Sequence, residues 1–300
     1  MAATAAAFAQ GDRVFSVPLR DLQQWAENIV VTLDKVTITG HSGVHPLKDD
    51  CEMHFGAQVA GYSGDPAGWV LEPMNVCEKP FFGEPEQKNA SWTRFARGLV
   101  EKTVRAAGVP RIWPEHLDGE ESDSNPNHAV ELHPLTHLTG PGQDRDFSSF
   151  VFAPETYQGG VGCNTAEKIL TKTKVGVTRK SDQVEIDFAG GRIGNFTVVD
   201  VRIGKENIRQ VSGGHRASGE VVLESGETVP VSLVTAAGAR IDARFERIRN
   251  GARPTVRLEV LVLFSLDPEA LLRAAAGSTR QDVAQPLQLI VYGTTDAGCR

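Results

Sequence analysis

The chain has 300 residues, 40% of them hydrophobic and 23% charged, with a formal net charge of −7. Those proportions belong to an ordinary globular protein and exclude a disordered or collagen-like chain. The charge is uneven: residues 1–145 carry 12 basic and 20 acidic side chains, residues 146–300 carry 19 and 18. An acidic first half repels a phosphate backbone, which weighs against nucleic acid as a partner.

The length suggests two domains of about 150 residues each. Thirty glycines and 16 prolines imply many turns and favour strands over a helix bundle. No run of about 18 apolar residues occurs, so no membrane-spanning helix is expected.

Residues 1–15 read as a disordered terminal segment, because the alanine-rich start lacks the basic region of a signal peptide. Pro18 to Asn28 form a short helix or turn. Strands follow at Ile29–Leu33, Val36–Thr39, residues 50–60 and Trp69–Glu72, with Gly40 to Gly43 as a turn. Glu78 to Lys88 is a loop rich in Pro, Gly and Glu. Ser91 reads as an N-cap, with Trp92, Phe95, Leu99, Val100 and Val104 near helical spacing. A strand begins at Arg111–Trp113, an acidic loop spans His116–Asn127, and a strand over His128–Leu138 closes the unit. This order predicts an OB-like barrel with one packed helix over residues 16–139.

Thr139 to Asp144 reads as a linker. Beyond it, segments from Phe147 to Leu266 alternate or are rich in β-branched and aromatic residues, and Leu287–Tyr292 is the last strand. Turn signals fall between them at Gly190-Gly191, Gly213-Gly214, Ser225-Gly226 and Asn250-Gly251. The expectation for residues 146–296 is an antiparallel β-sandwich domain, the whole being mainly β. Within it, Arg240–Arg249 reads as a strand whose arginines form a wet face, and Ala270–Ala276 as a short helix after Asp267. Gly159 to Gly162 is a loop without the lysine and hydroxyl of a phosphate-binding loop. No Gly-x-Ser-x-Gly elbow is present.

The cysteines are Cys51, Cys77, Cys163 and Cys299, with no C-x-x-C pair. They read as unpaired thiols in a reducing cytoplasm.

Two stretches carry chemistry. Strand alternation would put Asp50, Glu52 and His54 on one face, and Glu131 and His133 on one face of the later strand. Asp50, His54, Glu131 and His133 are the candidate metal ligands, a mixed nitrogen and oxygen set suited to Zn²⁺, Mn²⁺ or Fe²⁺. Glu72, or alternatively Glu131, is the candidate general base. The competing reading pairs the same histidines and carboxylates as a structural polar lock. His41, His45 and His137 read as solvated.

These residues also carry a resemblance. The first 140 or so residues resemble a group of uncharacterised bacterial proteins with a D-x-D-x-H strand, a central helix and a P-N-x-I-E-L-H-P-V strand. The matching residues here are Asp50, Glu52 and His54, then Pro126, Asn127, Val130, Glu131, Leu132, His133 and Pro134. Glu72, Pro73 and Cys77 resemble an E…P…C element between them. Glu52 replaces the second aspartate, and His128 is an extra residue before Ala129. The resemblance implies an OB-like barrel with a polar site and supplies no reaction.

Two functions follow as expectations. One is a non-catalytic binding or assembly protein whose His/carboxylate cluster is structural and whose partner is a protein or small ligand. The other is a metal-assisted hydrolase with its site on the barrel.

Overall fold

A computed structural model describes residues 13–79, 88–117, 121–189, 192–277, 279–296 and 298. In chain order its first half holds β1 (Arg13–Pro18), α1 (Leu19–Glu27), β2 (Val31–His41), β3 (Phe55–Val59), β4 (Gly68–Leu71), α2 (Lys88–Arg97), β5 (Thr103–His116), β6 (His128–Gly140) and β7 (Gln143–Asp146). The second half holds α3 (Cys163–Lys172), β8 (Lys174–Lys180), β9 (Gln183–Ala189), β10 (Phe196–Val211), β11 (Gly214–Val222), β12 (Thr228–Ala236), α4 (Arg240–Arg249), β13 (Thr255–Leu266), α5 (Pro268–Ala274), β14 (Gln281–Val283) and β15 (Leu287–Thr294).

The protein is mainly β, and its first half contains the expected barrel with a helix. Strands run in the order β4-β3-β2-β5-β6, with β7 added at the edge. A parallel pairing of β4 with β6, Val70 opposite Glu131 and Leu71 opposite Leu132, closes the ring. α2 lies between the third and fourth strands in sequence. Its Trp92 and Phe95 are buried against Phe147 and Phe150.

The strands expected to form a sandwich divide between two assemblies. β10-β11-β12-β15-β13 make a second closed barrel, again shut by a parallel pair, β12 with β15. The connectivity repeats that of the first: strands one and two, two and three, one and four, and four and five pair antiparallel, while three and five run parallel. A helix, α4, again separates strands three and four. The remaining strands form a four-stranded sheet, β1-β9-β8-β14.

Several local expectations are corrected. Arg240–Arg249 is a helix, because Ile241, Phe245 and Ile248 recur every three to four residues and the first two are buried on one face. Arg13, Val14 and Phe15 are in β1 rather than a loose terminus, and β1 pairs with β9 of the second half; residues 1–12 lie outside the described residues. Thr139 to Asp144 is the tip of the β6–β7 hairpin, with Gly140 opposite Gln143. Residues 50–54 precede β3 instead of extending it, because Cys51 adopts φ +59° and breaks the strand period. α3, with Ala166, Ile169 and Leu170 buried, was not anticipated. The Gly190-Gly191 turn and most of the Glu78–Lys88 loop lie outside the described residues.

Cys51 and Cys77 form a disulfide, and Cys163 is also disulfide-bonded, which corrects the expectation of free thiols. Cys299 lies outside the described residues.

The halves pack directly on one another. Ile112 N donates to Ser265 Oγ at 3.1 Å, and the Trp113 ring stacks on Phe264 at 6.0 Å. The acidic loop seats its Asp123 backbone on the first barrel: Thr39 Oγ1 donates to Asp123 O at 2.6 Å. Gly40 and Gly56 face each other across β2 and β3 beneath it. A Cβ on Gly56 would stand 2.1 Å from Asp123 O, so the loop lies where only glycine leaves room.

Candidate functional site

The polar residues of β6 follow from its alternation. Val130 and Leu132 point into the first barrel, so Glu131 and His133 point out of it. On β5, Arg111 lies directly opposite Glu131 in the antiparallel register and therefore shares that outward face. An outward face is ordinarily wet, but here the second barrel covers it. His133 packs edge-on to Phe196 of β10 at 5.5 Å and stacks on Tyr292 of β15 at 6.1 Å. Arg111 Nε donates to the Phe264 carbonyl of β13 at 2.9 Å. Glu52, Glu72, Arg111, His128, Glu131 and His133 are consequently all buried.

These six residues are linked to one another, with Glu52 Oε2 left as a buried oxygen without a partner among the described residues. His133 Nε2 faces Glu52 Oε1 at 2.8 Å. Its Nδ1 lies 2.6 Å from Glu72 Oε2 and 3.2 Å from Glu131 Oε2. Arg111 donates through Nη1 to Glu131 Oε2 at 2.8 Å and through Nη2 to Glu115 Oε2 at 2.9 Å. His128 donates through Nδ1 to the Pro126 carbonyl at 2.6 Å and through Nε2 to Glu131 Oε1 at 2.9 Å. Both nitrogens of His128 thus face acceptors, which calls for a doubly protonated ring. His128 and Glu131 are three residues apart on β6, where the pairing with β5 shifts register between Ile112 and His116.

Burial opposes every charge here, and the partners decide the outcome. For Glu131 the Arg111 guanidinium and the two imidazole hydrogen bonds outweigh burial and hold the carboxyl well below its usual range. Burial likewise works against Glu72, but His133 and His54 hold it at about 2. His133 is driven well above the ordinary imidazole value by Glu52, Glu72 and Glu131, against the cost of burial. His128 is raised in the same way by Glu131. Glu52 is pushed up by burial in spite of His133, so the proton on that contact belongs to the pair.

The four candidate ligands do not form one set. Glu131 and His133 sit in the buried network. Asp50 and His54 lie at its rim, where Asp50 Oδ1 accepts from His45 Nδ1 at 2.8 Å. The rings of His45 and His54 meet at 4.6 Å, so His45 is half-buried and paired instead of solvated. Glu72 joins the two groups, with Oε1 3.5 Å from His54 Nε2 and Oε2 on His133. His137 is partly exposed and pairs with Asp144.

A scan against models of known protein families finds no match for this chain.

Sequence reasoning missed Glu52 as the partner of His133, Arg111 as the partner of Glu131, and His45. The strand parity of Arg111 was available; its register with Glu131 was not. The second barrel holds a further polar group. His215, buried on β11, faces Asp242 Oδ1 at 2.8 Å and Glu246 Oε2 at 2.7 Å, both on α4. Thr235 Oγ1 donates to the same Asp242 oxygen at 2.7 Å.

Proposed function

We propose that this is a non-catalytic binding or assembly protein in which the buried His/carboxylate network of the first barrel is structural, with Arg111 tying it to the second barrel. The observation that carries the reading is closure. Each nitrogen of His133 and His128 and each end of the Arg111 guanidinium meets an acceptor within the protein. Both ring nitrogens of His133 face carboxylate oxygens, and its contacts of 2.6 and 2.8 Å are hydrogen-bond lengths. Removing one member strands the others in a low-dielectric setting, which is how such a network specifies one docking geometry.

The ligand-binding part of the reading rests on a cleft of about 350 Å³ between α3 and the second barrel. Ala166, Leu170, Val198 and Val222 give it apolar walls, and Arg257 and Glu167 supply charge. That volume and lining suit a small molecule or a short peptide segment. The acidic first barrel supports a partner other than nucleic acid. No helix among the described residues is long and apolar enough to cross a membrane. The Cys51–Cys77 disulfide removes the ground for a reducing cytoplasm, and we place the protein in an oxidising compartment. Kinship with the bacterial group carrying the D-x-D-x-H and E-L-H-P strands is part of the same proposal.

The second reading, metal-assisted hydrolysis on the barrel with Zn²⁺, Mn²⁺ or Fe²⁺, draws on the half-buried His45, Asp50 and His54. It asked Glu72 to act as general base, and a carboxylate held at about 2 is a poor proton acceptor at neutral pH. Denaturant unfolding of metal-stripped His133→Ala separates the two. The lock predicts a large loss of stability without any metal present. Unchanged stability, with loss of a metal that the parent carries, would overturn it.

A further inference from the structure

The rim of the first barrel has a geometry that the buried network does not share. Residues 42–54 fold back on themselves: Ser42 N donates to His54 O at 2.9 Å, and His45 N donates to Glu52 O at 2.8 Å. Ser42 Oγ accepts from His54 N at 2.9 Å. The Cys51–Cys77 disulfide ties this turn to the segment after β4. The backbone positions of His45 and His54 are therefore fixed before any ligand arrives, and their rings meet edge to face.

His45, Asp50 and His54 each bring a donor atom to within 4.8 Å of the others. Their side chains are 29%, 21% and 14% exposed, so solvent reaches all three. Asp50 Oδ1 already faces His45 Nδ1, so Nε2 is the ring nitrogen that His45 would offer to an ion. The separation of 3.5 Å between His54 Nε2 and Glu72 Oε1 is too long for a good hydrogen bond. It matches the edge between two ligands of a tetrahedral ion with bonds of about 2.0–2.1 Å, which is about 3.4 Å. Glu72 Oε2 is fixed by His133 at 2.6 Å, so the carboxylate is aimed at the rim by a partner behind it.

We infer that His45, His54 and Glu72, oriented by Asp50 and His133, bind a divalent transition-metal ion with at least one position open to solvent. Two imidazoles and a carboxylate suit Zn²⁺ and Co²⁺ better than Mg²⁺ or Ca²⁺, which favour oxygen. Asp50 and His133 stand where outer partners of metal ligands stand, each fixing the orientation of a coordinating group. The site goes beyond the locking role proposed for the buried network: it uses Glu72, the network carboxylate that also reaches His54.

The test is calorimetric titration of the full, chelator-stripped chain with ZnCl₂, repeated with CoCl₂ to read the visible absorption of the bound ion. The parent should bind one equivalent. His45→Ala and His54→Ala should each weaken binding more than Asp50→Asn, whose loss should be about 10–100-fold. His137→Ala should bind as the parent does. Circular dichroism and the melting curve of each variant separate lost binding from lost fold, and His45→Gln provides a milder substitution. A parent that binds no more Zn²⁺ than the His45→Ala/His54→Ala double variant would overturn the proposal. So would full binding retained in that double variant. Neither outcome touches the lock, whose test is the stability of metal-stripped His133→Ala.

Discussion

The two barrels share one strand order and one helix position, yet they treat their histidine clusters in opposite ways. The first turns Arg111, Glu131 and His133 outward onto a surface that the second barrel covers, so the charges are buried and must be matched inside the protein. The second places His215 against α4, where Asp242 is 14% and Glu246 is 40% exposed and water shares the load. The same topology therefore supports a sealed network in one place and a half-open one in the other. What differs is the neighbour: a whole barrel covers the first face, and a single helix shields the second.

The largest expected effect comes from breaking the sealed side. His133→Ala strips Glu52 and Glu72 of their buried imidazole partner, while Glu131 keeps Arg111 and His128, and should cost about 3–5 kcal/mol in denaturant unfolding. Arg111→Met should cost a similar amount, because Glu131 loses its guanidinium and the Phe264 carbonyl loses its donor. His215→Ala should cost distinctly less than either, since its partners can rehydrate. Equal losses in the two barrels would remove the contrast.

Next in size is the disulfide. Cys51 and Cys77 close a loop of sequence separation 26. Replacing both by serine should lower stability by about 3 kcal/mol. The same replacement should loosen the rim that carries His45 and His54, read as weaker Zn²⁺ binding.

The pH dependence sharpens the comparison from another side. Glu72 is lowered from 4.5 to about 2, and Glu131 is lowered as well, so their contribution is present above pH 4.5 and lost as the pH falls towards 2. His133 and His128 are raised above 6.5, so theirs is present below pH 6.5 and lost as the pH rises through their native values. Glu52 is also raised, and its contribution weakens above its ordinary value of 4.5. Unfolding free energy measured across pH should show an alkaline decline that flattens in His133→Ala. An unaltered decline in that variant would assign it to other groups.

The smallest effect concerns the loop over the first barrel. Gly56→Ala sets a methyl group against the Asp123 backbone and should cost about 1–3 kcal/mol through displacement of the loop, read as a lower melting temperature.

Much of this architecture is legible in strand periodicity, and the rest fails for identifiable reasons. Alternation correctly puts Glu131 and His133 on one face of β6. It says nothing of what covers that face, because Phe264 is 153 residues from Arg111 in the chain. Asp50, Glu52 and His54 were given a common face on the assumption of a continuous strand. The left-handed Cys51 breaks that period, leaving Asp50 at the rim and Glu52 in the interior. α4 was legible and misread: Ile241, Phe245 and Ile248 carry the helical period, but the arginines between them suggested a wet strand. The disulfide was not legible, because no short Cys spacing announces a bridge between residues brought together by a turn and by β4.

The most direct test of the lock is the protonation state of His133, read from the ¹⁵N chemical shifts of both ring nitrogens across pH in metal-stripped protein. A cationic ring held between carboxylates predicts imidazolium-like shifts at both nitrogens through neutral pH, with deprotonation displaced well above the ordinary histidine value. A ring that is neutral at pH 7, with one bare nitrogen, would contradict the account.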